Sequence, residues 1–206
     1  MAKDKSTSKA SKRQLIQERQ RRQRLTNNLI WAGVGIAVLA VIGLFVWQAV
    51  KTPPPAEAMG EVIPIASSDH IADGTDPGPY SSDPPAGGVH YADTLPAKFY
   101  QESDLASLPV RPEVHLVHNL EHGHVIFWYN CAALAEGSCN QLKEQIQGVI
   151  DEFDGVKVLA FPWQSLEEPV AATSWGRLYR FESFDPEIAR QFVLANRNKA
   201  PEPNAP

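Results

Sequence analysis

Val125-Ile126-Phe127-Trp128-Tyr129 is an unbroken run of β-branched and aromatic residues with no polar alternation. Such side chains suit a pleated surface, and a short continuous apolar run reads as a buried strand. Moving outward from it, Ser138-Cys139-Asn140-Gln141 has capping-box form and opens a helix. Leu142, Ile146, Val149, Ile150 and Phe153 then fall on one helical face, and Gly155 ends the pattern. Residues 156–161 read as the next strand, stopped by Pro162. Residues 170–175 and 177–181 read as a strand pair bent at Gly176. Asp185-Pro186 is a cap followed by proline at the first helical position, and Ile188, Phe192 and Ala195 continue that helix. The order β-α-β-β-β-α predicts an α+β domain, a small mixed β-sheet with helices packed on one face, behind an irregular N-terminal loop region.

Immediately before the strand stands Val117-His118-Asn119-Leu120-Glu121-His122-Gly123-His124. Three imidazoles and a carboxylate fall together here in a chain with only six histidines. Neutral imidazole is the commonest protein metal ligand and a proton shuttle near neutral pH. At helical spacing His118 and His122 share a face. The string has the form H-x-x-E-H, in which two histidines bind zinc and the Glu activates a metal-bound water. Pro112 close upstream and Gly123 directly downstream leave room for one or two helical turns, too few for that motif's long helix. The alternative is a composite site. Residues 66–112 are rich in Pro, Gly, Ser and Asp, and long loops of this kind are often functional. Within them Asp83-Pro84-Pro85-Ala86-Gly87-Gly88-Val89-His90-Tyr91 combines restricting prolines with paired glycines that permit close backbone approach and aim His90 inward.

The candidate metal ligands are therefore His118, His122, His90 and His70, with zinc or copper as the ion. Glu121 is a ligand, an orienter of a ligating histidine, or the general base of a metal-dependent hydrolase. His124 enters the strand and His115 lies on the other side of Val117, so both rank lower. Two other readings stand beside the metal site: a buried polar network that pins a loop, and solvated surface histidines. No phosphate loop, dinucleotide fingerprint or haem-attachment motif is present.

The N-terminal part is different in kind. Residues 1–28 carry nine basic and two acidic side chains, a formal +7. The whole chain is −5, which leaves −12 for the remainder. Leu29 to Trp47 contain no charge, and about 20 such residues span a bilayer core. The apolar run is longer than a signal-peptide core, and Ala56-Glu57-Ala58 lies well beyond it, so an uncleaved anchor is expected. The positive-inside rule then puts the N-terminus in the cytoplasm and the acidic domain outside. The basic tail suits anionic lipid, and nucleic acid is not an expected partner. The expected division is a basic cytoplasmic tail at 1–28, a transmembrane helix at 29–50, a proline-rich linker at 51–59, an extracytoplasmic domain at 60–199 and a disordered tail at 200–206. Cys131 and Cys139 both fall outside the membrane in this scheme, where oxidising conditions favour a disulfide over a Cys/His metal site.

Three segments, Pro84 to Tyr91, Val117 to Gly123 and Ser174-Trp175-Gly176, resemble a bacterial family of domains of unknown function, the one numbered 3105. The resemblance covers roughly residue 60 to the C-terminal helix. It implies a single-pass or secreted protein with one such domain, and a shared polar set of His70, His90, His118, Glu121 and His122. It implies no activity. The functional expectations are a metal-binding domain held at the membrane, a metal-dependent hydrolase, or a non-catalytic accessory module of a membrane complex.

Overall fold

The computed structural model describes residues 57–135 and 137–205, with Trp31, Gly33, Gly35, Val38, Ala40 and Val41 further upstream. The chain divides into two units, 1–54 and 55–206. In the first, those six described residues are helical. The expected basic tail and most of the expected span at 29–50 lie outside the described residues. Among the described residues, no helix is long and apolar enough to cross a membrane.

In the second unit the elements are β1 (Glu61–Val62), β2 (His70–Ile71), β3 (His90–Tyr91), α1 (Pro112–Glu121), β4 (Val125–Tyr129), α2 (Ser138–Glu152), β5 (Val158–Pro162), β6 (Val170–Ser174), β7 (Arg177–Phe181) and α3 (Pro186–Asn196). Five strands form one mixed sheet in the order β1-β7-β6-β4-β5, and β2 pairs with β3 separately. β4 and β5 are parallel, while β4–β6, β6–β7 and β7–β1 are antiparallel.

All five residues of β4 are buried. Side chains alternate across a strand, so β4 has two apolar faces to cover. Val125, Phe127 and Tyr129 pack with Leu142 and Ile146 of α2 and with Phe192 and Val193 of α3. Ile126 and Trp128 point the other way, into a second cluster with Leu116 and Leu120 of α1 and with Leu95 and Tyr100 from the loops. The expectation of helices on one face is thus corrected: an unbroken apolar strand leaves a second face, and α1 with the loop region covers it.

α1 is also longer than expected, at ten residues. Pro112 occupies its first turn, where a missing N–H is no loss and the fixed φ is already helical. Gly123 ends it at φ +84°, and a Cβ there would come within 2.7 Å of the Asn198 Cα. In α2 the cap is Gly137, and Ser138 is already helical. The Asp185 carboxylate accepts from the Glu187 and Ile188 amides, as its position before Pro186 implies.

Residues 200–205, within the stretch expected as a tail, make hydrogen bonds to the domain. The Glu202 amide donates to the Glu121 carbonyl at 3.0 Å. Lys157 Nζ donates to the carbonyls of His122, Pro203 and Ala205 at 2.7–2.9 Å. One ammonium has three donors, and here all three tie this stretch to the end of α1.

Candidate metal centre

The short β2–β3 pairing places His70 opposite His90. The His90 amide donates to the Asp69 carbonyl, which fixes that register. Gly87 and Gly88 lead into β3 at φ +141° and +137°. A Cβ at Gly87 would strike Ile65 at 2.7 Å, and one at Gly88 would strike Tyr80 at 2.9 Å. The chain can therefore turn inward here only with glycine. α1 supplies the opposite wall. His118 and Glu121, three residues apart, lie on one helical face.

His70, His90, His118 and Glu121 each offer one donor atom, and these four atoms all lie within 4.8 Å of one another. The His70, His90 and His118 ring centroids are 4.5–4.9 Å apart. His90, His118 and Glu121 are buried, while His70 is exposed and leaves the group open to solvent on one side. This group of three imidazoles and one carboxylate can hold a metal ion.

The hydrogen bonding sharpens the point. His90 Nδ1 lies 2.8 Å from the Gly88 carbonyl. A carbonyl only accepts, so that contact assigns the ring proton to Nδ1. Its Nε2 faces Glu121 Oε2 at 2.9 Å, an ion pair if the ring carries a second proton and two opposed lone pairs if it does not. Neither atom has an aligned hydrogen bond among the described residues, and His118 Nδ1 is equally orphaned. Buried acceptors facing one another repel unless a proton or cation lies between them. Burial, followed by the neighbouring charges of His122, His90 and His70, pushes the His118 imidazole down to about 4, against a backbone hydrogen bond at Tyr91. His118 is therefore neutral at neutral pH, the form that ligates metal.

The other histidines are not among these four donors, although the His122 ring lies as close to His118 as the rings of the group lie to one another. His122, expected as a ligand, has its ring 4.4 Å from that of His118, and its Nε2 lies 3.6 Å from Glu202. It is Glu121 that joins the cluster, the reverse of the arrangement in which H-x-x-E-H histidines bind the ion and the Glu stands by as base. His115 Nδ1 lies 2.8 Å from the Asp93 carbonyl, and its ring meets the edge of Tyr91. Burial, with Lys157 acting in the same direction, pushes His124 down to about 4. Cys131 and Cys139 lie at disulfide distance, with Cα atoms 5.2 Å apart.

One contributor was not foreseen. Asn119 is buried and holds Leu95 from both sides, accepting from its amide at 3.0 Å and donating to its carbonyl at 2.8 Å. The signal was present, since Asn gains nothing inside a helix unless its side chain has a partner elsewhere. Trp175, from one of the three segments that carry the family resemblance, sets its ring edge-on to His90 at 6.3 Å.

Residues 73–206 match the family described as protein of unknown function DUF3105. The chain belongs to that family. The matched stretch of this DUF3105 protein contains His90, His118 and Glu121 and runs to the final residue, while His70 lies three residues before it begins. No curated protein matches the chain, and no solved structure does.

Proposed function

We propose that this DUF3105 domain binds one transition-metal ion through His70, His90, His118 and Glu121. The observation that supports the reading is the convergence of four donors around orphaned, buried side-chain atoms of His90, His118 and Glu121. Three imidazoles and a carboxylate form a nitrogen-rich set that suits zinc or copper over magnesium or calcium. The exposed His70 gives the ion a route to solvent, which fits uptake and exchange better than a sealed structural site. The uncharged stretch from Leu29 to Trp47, behind the basic tail, tethers the acidic domain outside the cell membrane, where it serves as a metal-handling accessory to a membrane complex.

Elemental analysis of the untagged full-length chain in detergent tests the proposal, beside the His90→Ala/His118→Ala variant with circular dichroism on both. The expected result is close to one zinc or copper per chain, lost in a variant that keeps its fold. Failure of the parent to take up either ion after reconstitution refutes it.

A further inference from the structure

A second group of reactive side chains lies where β4 passes into α2, and its reading does not depend on the metal centre. Cys131 opens the turn after β4, and Cys139 is the second residue of α2. Both are partly exposed. The Glu102 carboxylate offers an oxygen within 4.8 Å of both sulfurs. Lys143 of α2 holds Glu102 in place by an ion pair and donates to Gln101 Oε1 at 2.9 Å.

A bridge here adds little as a staple. It links residues only eight apart, in a turn between a strand and a helix that the core already fixes through Phe127, Tyr129, Leu142 and Ile146. Its place in the topology suits chemistry. β4-α2-β5 is a parallel β-α-β unit, followed by the antiparallel pair β6-β7 and then α3, in the sheet order β7-β6-β4-β5. A cysteine pair at the strand-to-helix turn of such a unit is where thioredoxin-like proteins carry their redox centre. The spacing differs, with seven intervening residues in place of two. A cleft of about 240 Å³ adjoins the turn, with Leu134, Leu142 and Phe184 beside polar Gln141, Gln145 and Glu182, and offers a mixed seat for a side chain flanking a substrate cysteine.

We propose that Cys131–Cys139 is a thiol–disulfide exchange site that oxidises a protein dithiol. The first substrate thiol loses its proton to solvent, and the thiolate attacks Cys131 Sγ. A mixed disulfide forms, the Cys131–Cys139 bond breaks, and Cys139 leaves as a thiolate that the N-terminus of α2 stabilises. The second substrate thiol gives its proton to the Cys139 thiolate, attacks the substrate sulfur of the mixed disulfide and expels Cys131, which takes a proton from solvent. The substrate dithiol becomes a disulfide, and the cysteine pair gains two electrons and two protons. Return to the bridged form takes a second exchange with an oxidised partner disulfide.

The test uses the native full-length chain with glutathione redox buffers and a synthetic two-cysteine peptide, counting alkylated thiols by mass. The expected result is two new thiols in a protein whose circular dichroism is unchanged. Exchange should run about tenfold faster than in an isolated 129–141 peptide with the same bridge, because a better leaving thiolate speeds exchange. Cys139→Ser should accumulate a mixed disulfide between Cys131 and the oxidised peptide. Glu102→Gln should speed exchange without changing the fold, because it removes a carboxylate that lies within 4.8 Å of both sulfurs and opposes the leaving thiolate. Thiols that appear only on unfolding, or exchange no faster than in the isolated peptide, would overturn the proposal and leave a structural bridge.

Discussion

Residues 125–196 and residues 57–124 are held together by different physics. In the first, periodic apolar side chains meet across a sheet and two helices, and the same cluster takes in β4, α2 and α3. In the second, polar side chains grip irregular backbone. Asn119 holds Leu95, Tyr80 Oη donates to the Val89 carbonyl, Tyr91 Oη donates to the Thr75 carbonyl, and His90 holds Gly88. Backbone outside regular structure still needs partners for its N–H and C=O groups, and side chains supply them here. The candidate metal centre lies where this hydrogen-bonded region meets α1. The region built by packing therefore sets stability, and the region built by hydrogen bonds sets the positions of the donors.

The largest effect that separates the two is expected at Phe127. Phe127→Ala leaves a hole in the packed half and should cost about 3–5 kcal/mol by chemical denaturation, with metal binding lost together with the fold. A second effect concerns acid. His124 is buried, and its pKa lies near 4 when folded against 6.5 when exposed. Between those values the unfolded chain binds more protons, so stability is full above about pH 6.5 and falls as pH drops towards 4. The loss from this residue is at most about 3 kcal/mol, and His124→Leu should reduce the acid sensitivity of the thermal midpoint. At the donors, His90→Ala should weaken zinc or copper binding by about a hundredfold or more in chelator competition, beyond the range for residues that only orient a ligand. Its denaturation midpoint should shift less than that of Phe127→Ala.

Asn119→Ala tests whether the hydrogen-bonded half positions the donors. It strips two buried backbone groups of their partner, so about 1–3 kcal/mol of stability should go. Metal affinity should fall about tenfold although no ligand is touched. The smallest effect is expected at His122. His122→Ala should change metal affinity by less than about tenfold, as befits a neighbour of the ligands. A loss as large as that of His90→Ala would restore the H-x-x-E-H reading.

The same division decides what could be read from the sequence. Residue composition located β4 and β7 closely, and Asp185-Pro186 located the cap of α3, because those signals are local in the chain. Pro112 was read as an obstacle when it starts α1, since proline at the first turn and proline in the interior differ only by a boundary that spacing does not fix. The β2–β3 contact is two residues long, with no period to detect, so nothing local announced that His70 would lie against His90. His90 was legible through Gly87 and Gly88, which have no other reason to adjoin. Glu121 and His122 both lie one turn from His118, so spacing alone does not choose between them.

The most direct measurement is an X-ray absorption spectrum at the metal edge of the zinc- or copper-loaded full-length chain. Three imidazole nitrogens and one carboxylate oxygen, all at about 2.0–2.2 Å, are the predicted donor shell. A shell with sulfur at about 2.3 Å, or with fewer than three imidazoles, would contradict the assignment of His70, His90, His118 and Glu121.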